Sequence, residues 1–157
     1  MTTKISIVTR DRRAILEHTL QVLQDTCEDI DILITDNGST DGTPELLRAM
    51  EHAGKLRAFL LLRNVGSARG RNAHWEHCIG HTTVKMDDKV EWLAPGWLHA
   101  LERLSTENHA VLGPAYADNV RALECLAPCI PWIQWDHDAG IGGPYLYIPA
   151  ELTTALG

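Results

Sequence analysis

The chain has 157 residues, 45% hydrophobic and 22% charged, proportions ordinary for a water-soluble domain with a real core. Its formal net charge of −7 argues against a general polyanion binder, since nucleic-acid affinity is largely cation–phosphate attraction. No apolar run approaches the roughly 18 residues a membrane span needs, and Met1-Thr2-Thr3-Lys4 leads straight into a strand without the apolar region of a signal peptide. A cytoplasmic protein is expected.

Lys4 to Thr9 is β-branched and predicts a short strand. Ile15, Leu16, Leu20 and Leu23 recur at helical spacing and predict a helix over 13–24. Ile30 to Thr35 is almost continuously apolar, as a buried parallel strand is. A turn rich in Asn, Gly, Ser and Asp follows, then a helix with Thr43 as N-cap, Pro44 at its first position and Leu46, Leu47 and Met50 inward. Leu56 to Leu62 predicts a third strand, 68–79 a third helix and Thr82 to Met86 a fourth strand. Pro95-Gly96-Trp97-Leu98 starts a helix to about Leu104, and Ala110 to Leu112 and Tyr145 to Ile148 read as strands. Pro149-Ala150-Glu151 begins a last helix. The β-α-β-α-β-α-β alternation of the first ninety residues implies an α/β fold, with a mostly parallel sheet flanked by helices in a single domain.

Carboxylates punctuate the strand ends. Asp36 follows one strand, Asp87 and Asp88 another, and Asp136-His137-Asp138 lies in a segment rich in Trp and Gly. Open α/β sheets bind ligands at the carboxyl ends of their strands, where carboxylates can hold a nucleoside or a divalent cation with its phosphates. Arg10, Arg12 and Arg13 after the first strand, and Arg63, Arg69 and Arg71 around a Gly-containing turn, suggest a small anionic ligand within an acidic protein. Solvated surface arginine is the other reading of each. By itself, Asp36-Asn37-Gly38 reads equally as a turn closed by an Asx bond. Cys27, Cys78, Cys125 and Cys129 contain no CxxC pair and read as free thiols. His74, His77 and His81 share a helical spacing but read as packed or solvated imidazoles rather than a metal site.

Taken together and in order, the motifs from Ile5 to Leu98 resemble the family 2 glycosyltransferases of the GT-A fold. The resemblance rests on Ile5-Ser6-Ile7-Val8-Thr9-Arg10-Asp11-Arg12, on Asp36-Asn37-Gly38-Ser39-Thr40-Asp41-Gly42-Thr43, on Asn64 through Asn72, on Met86-Asp87-Asp88-Lys89 and on Pro95-Gly96-Trp97-Leu98. It implies a Rossmann-like sheet whose residues 1–98 hold a nucleoside-diphosphate sugar and whose residues 99–157 face the acceptor. Thr9 and Arg10 would flank the base, with Asp36 and Asn37 binding it. Arg71 would approach the phosphates or position the acidic loop. Asp88 would contact the ribose or the metal, Mn²⁺ or Mg²⁺, and Asp87 would belong to the same diphosphate–metal site. Three positions depart from the pattern: Arg10 stands at a common aromatic, His74 at a usual small residue, and Lys89 at the third position of D-x-D, where its charge opposes a metal.

In the remaining chain, Trp132 to Gly143 offers tryptophan faces for a sugar, and Asp138 or Asp136 as the base that deprotonates an acceptor hydroxyl. His137 is a candidate metal ligand. The family's later acidic pair has no counterpart before Gly157, so these residues, or an oligomer or partner chain completing the acceptor site, would substitute for it. The expected activity is metal-assisted transfer of a sugar, a hexose or a related one, to a hydroxyl on a glycan, lipid carrier, protein or modified nucleobase. A nucleotide-sugar-binding module without turnover is the alternative, and a nucleotidyltransferase a third.

Overall fold

The computed structural model describes residues 2–27, 29–91, 93, 95–108 and 146–155. Strands and helices alternate as β1 (Thr3–Thr9), α1 (Arg13–Thr26), β2 (Ile30–Asp36), α2 (Thr43–His52), β3 (Arg57–Leu60), α3 (Ser67–Trp75), β4 (Thr83–Met86) and α4 (Trp97–Asn108). After these come β5 (Leu146–Ile148) and a short helix α5 (Ala150–Ala155). The strands form one five-stranded sheet in the order β3-β2-β1-β4-β5. β1 to β4 run parallel, and β5 closes the β4 edge antiparallel. This is the mostly parallel α/β sheet expected from the alternation.

Period-2 alternation sorts the central strands onto two unlike faces. Ile5 and Ile7, Ile32 and Ile34, and Val84 and Met86 join Leu16, Leu20 and Leu23 of α1, Leu47 of α2, and Trp97 and Leu101 of α4 in one apolar core. That spacing on α1 is the inward stripe of an amphipathic helix. Trp97 also donates its indole N–H to Cys27 Sγ at 3.0 Å, tying α4 to the end of α1. The intervening positions Ser6 and Thr35 lie beneath α3 and hydrogen-bond to its His74. One sheet face is therefore hydrocarbon and the other carries a buried polar cluster.

Helix starts differ from expectation in one instructive place. Gly42 rather than Thr43 is the N-cap of α2, with φ 86° in the left-handed region. Asp41 takes over the capping: it accepts from the Thr43 N–H at 3.1 Å and hydroxyl at 2.6 Å, and from the Arg13 N–H at 2.9 Å. One carboxylate thus serves the first turns of α1 and α2. These hydrogen bonds hold the Asp41 carboxyl below its ordinary pKa. β3 is shorter than predicted and α4 longer. The strand expected over Ala110 to Leu112 lies outside the described residues. No helix among the described residues is long and apolar enough to cross a membrane.

Candidate functional site

The chain leaves β1 toward β2 and β3, then returns to the other side of β1 to lay down β4. The carboxyl edge between β1 and β4 is therefore the topological switch point, where open α/β sheets bind ligands. Register brings the relevant ends level: Thr9 pairs with Asp36, Ile7 with Met86, and Asp87 and Asp88 follow directly.

Asp88 spans the switch point. It is 3% exposed. Its Oδ2 accepts from Thr9 Oγ1 at 2.8 Å and its Oδ1 from Arg12 Nη1 at 2.9 Å. Its backbone carbonyl accepts from Thr19 Oγ1 at 2.8 Å, anchoring the acidic turn to α1. Asp87 uses Oδ1 to accept the Asp88 N–H at 2.8 Å. Burial, reinforced by the neighbouring Asp88 charge, raises the Asp87 pKa. Arg71 approaches from α3, donating through Nη1 to the Ser6 carbonyl at 2.8 Å and hydroxyl at 3.0 Å. Burial pulls its pKa down while the Asp87 carboxylate opposes that shift. Arg12 and Arg71 thus place positive charge around an adjacent pair of carboxylates.

The neighbouring loops are tied to this edge. Asp36 is buried and directs Oδ2 to the Ser39 N–H at 3.1 Å and Oδ1 to the Ser39 hydroxyl. The Asp36 carboxylate thus closes its turn onto Ser39, three residues on, rather than two residues on as an Asx turn would. Asn37 donates from Nδ2 to Asn64 Oδ1 and accepts the Val65 N–H, each at 2.9 Å. Its amide pins the loop before α3. Asp11, at φ 50°, donates its N–H to Ser39 Oγ at 2.8 Å and accepts from the Thr40 N–H at 2.7 Å. Gly38 has φ 76°, and a Cβ there would stand 2.6 Å from the Arg63 backbone. Gly70 lets α3 approach β1 closely, since its Cβ would meet Val8 Cγ1 at 3.0 Å.

Among the sequence-predicted residues, Thr9, Asp36, Asn37, Arg71, Asp87 and Asp88 gather at this edge. Arg10 sits half exposed beside Asp11, Nε to Oδ2 at 3.3 Å. Lys89 extends to Glu91, Nζ to Oε1 at 3.4 Å, so the cation seated on Asp88 is Arg12. Asp136, His137 and Asp138 lie outside the described residues, as do Cys125 and Cys129. Cys27 and Cys78 are free thiols. The sequence groups Arg12 with its neighbours without marking it as a site residue, and does not mark Ser6 or Thr35 at all. A hydroxyl interrupting an otherwise apolar buried strand was the available signal for both.

No group of three His, Cys, Asp or Glu able to hold a metal ion occurs among the described residues. Two adjacent carboxylates suit a Mg²⁺ or Mn²⁺ that takes its remaining ligands from substrate phosphates and water. The donor set fits a cation only in that shared form.

The fold is similar to that of solved glycosyltransferases. The mannosyltransferase PcManGT from Pyrobaculum calidifontis, solved with GDP-Man and Mn²⁺, superposes with a TM-score of 0.70 at 19% identity, over 99% of this chain and 46% of that one. S. aureus TarS 1–349 in complex with UDP-GlcNAc gives 0.59 at 18% identity, covering 71% and 33%. S. aureus TarS gives 0.57 at 18% identity, covering 69% and 20%. The chain thus spans less than half the length of these structures. Comparison with curated proteins by sequence gave no match. The family model described as Glycosyl transferase family 2 matches residues 5–126, most of the chain. On that match, with a GT-A-like sheet beneath it, the chain belongs to glycosyl transferase family 2.

Proposed function

We infer that the chain binds a nucleoside-diphosphate sugar at the β1–β4 switch point and takes part in transferring its sugar to a hydroxyl acceptor. The observation that carries this reading is the Thr9–Asp88–Arg12 cluster across the switch point, with Asp87 and Arg71 beside it. Structural neighbours solved with GDP-Man and Mn²⁺ or with UDP-GlcNAc support the donor class.

Residues 1–98 form the donor half in this reading, and 99–157 the acceptor half. Thr9 and Arg10 border the base with Asp36, whose turn is set by Ser39. Asn37 shapes the pocket wall by holding Asn64 and Val65. Arg71 and Arg12 meet the diphosphate, where arginine offers charge and directed donors to phosphate oxygens. Asp87 and Asp88 hold the divalent cation, with His137 as a further ligand. When bound, such a cation acts as a Lewis acid on the leaving diphosphate. Arg12 exchanges Asp88 for phosphate as the donor enters. Trp132 to Gly143 walls the acceptor, with Asp138 or Asp136 taking the hydroxyl proton. The protein works in the cytoplasm, on a hexosyl or related donor.

The test is calorimetry with UDP, GDP, UDP-GlcNAc and GDP-Man, with and without Mn²⁺. Saturable binding of one donor, tightened by Mn²⁺ and weakened at least tenfold by Asp88→Asn, is the expected result. A protein that ignores every nucleotide in the panel is not a donor-binding transferase. The second reading, a binding module without turnover, draws on the Arg12–Asp88 pair, which already neutralises one carboxylate. Donor binding without sugar release to water or to any hydroxyl acceptor would favour it.

A further inference from the structure

Beneath α3 lies a buried relay that the donor site does not itself explain. Ser6, Thr35 and His74 are all fully buried on the polar face of the sheet. His74 Nε2 lies 2.6 Å from Ser6 Oγ, and its Nδ1 lies 2.8 Å from Thr35 Oγ1. Phe59 packs against the imidazole with ring centroids 5.6 Å apart. Ser6 Oγ also meets Arg71 Nη1 at 3.0 Å.

What each group can donate or accept narrows these hydrogen bonds to two patterns. A guanidinium only donates, so Ser6 Oγ accepts from Arg71. Ser6 Oγ keeps one proton and a second lone pair, so two patterns satisfy the groups: donation to a bare His74 Nε2, or acceptance from an Nε2–H with Thr35 donating to Nδ1. In the first, the neutral imidazole carries its proton on Nδ1, which donates to Thr35 Oγ1. Burial first, and then the charges of Arg71 and His77, lower the His74 pKa to about 4, in keeping with the neutral ring. Among the described residues, no buried side-chain N or O lacks a hydrogen-bond partner, so the relay is closed.

We propose that His74, as the neutral Nδ1–H tautomer, is a positioning residue that fixes the Arg71 guanidinium through Ser6, setting it toward the diphosphate of the donor. This rests on the donor reading above. His74 does not touch the nucleotide. Its acceptor nitrogen orients the Ser6 hydroxyl, and the oriented hydroxyl presents a lone pair to Arg71. With the Ser6 carbonyl as the second acceptor, Nη1 is held between two fixed oxygens of one residue. The rest of the guanidinium is then preorganised rather than ordered at the moment of binding.

The test compares wild type with Ser6→Ala, His74→Leu and His74→Gln, the last retaining an acceptor amide for Ser6. Affinities for UDP and GDP are measured beside those for uridine and guanosine, which lack phosphate. The expected result is an about tenfold loss of diphosphate affinity in Ser6→Ala and His74→Leu, with nucleoside affinity unchanged and His74→Gln close to wild type. The His74→Leu loss should vanish in an Arg71→Ala background, where nothing remains to be positioned. Equal loss of nucleoside and diphosphate affinity would mean that His74 only supports the fold, and would overturn the proposal. A ligand-free measurement separates this from failure of the donor reading. Histidine ¹⁵N spectra should show the neutral Nδ1–H form, and Arg71 guanidinium protons should exchange slowly in wild type and rapidly in Ser6→Ala. A protein that binds no nucleotide but shows this pattern would refute the donor reading and keep the relay; fast exchange in wild type refutes the relay itself.

Discussion

His74 is out of water and bonded at both ring nitrogens, so charging it would place a proton against a hydroxyl that already donates to it. Its pKa falls from 6.5 to about 4, chiefly through burial. The unfolded chain therefore binds more protons than the folded one between those two values. The stability associated with the neutral ring is present above pH 6.5 and declines as pH falls toward about 4. The full difference is of order 3 kcal/mol. Urea unfolding at pH 7 and pH 4.5 should show most of that loss, about 2 kcal/mol, in wild type, and a smaller one in His74→Gln. Identical losses in both would assign the acid sensitivity to other groups. The three-and-four spacing of His74, His77 and His81 left coordination open in principle, and the structure supplies hydroxyl partners for His74 instead. His77 packs its ring 5.3 Å from that of Phe59. A spacing shows which residues share a helix face, but not what that face meets.

Three loops border the candidate site, after β1, after β2 and before α3, and they are fastened to one another. The β2–α2 turn is fastened to the β1–α1 turn through Asp11, Ser39 and Asp41. It is fastened to the loop before α3 through Asn37 and Asn64. Gly38 stands at the second junction, where positive φ and the Arg63 backbone exclude a side chain. Gly38→Ala should cost roughly 2 kcal/mol or more, through strain and displacement of that backbone. It should also weaken nucleotide binding, because Asp36 and the loop before α3 would no longer be level. Chemical denaturation with the nucleotide titration checks both, and an alanine variant of wild-type stability would show that the loop yields freely. The run from Asp36 to Thr43 was recognisable as a turn from its residue types. That its Asn37 amide is engaged with the next loop was not, because both partners lie 27 or 28 positions away.

At the scale of the whole molecule, a donor that binds only the folded sheet must stabilise it. At a hundred times its dissociation constant the gain is about 2.7 kcal/mol. For a domain of this size that raises the melting temperature by roughly 5–10 °C. The rise should appear with a nucleoside diphosphate plus Mn²⁺, and shrink in Asp88→Asn. A melting temperature indifferent to saturating nucleotide would mean that the folded chain does not bind it. The sequence by itself determined the alternation of strands and helices, the acidic residues at strand ends and the family, because these depend on local periodicity, turn chemistry and motif order. Tertiary structure alone decided that β4 lies beside β1, which brings Asp88 onto Thr9 from 79 positions away. It decided that Arg12, rather than Lys89, is the cation on that carboxylate. It also decided that Ser6, in the middle of an apolar strand, lies under Arg71 and His74. Strand order and side-chain pairing depend on contacts between segments far apart in the chain, and no local pattern of residues encodes which of those contacts will form.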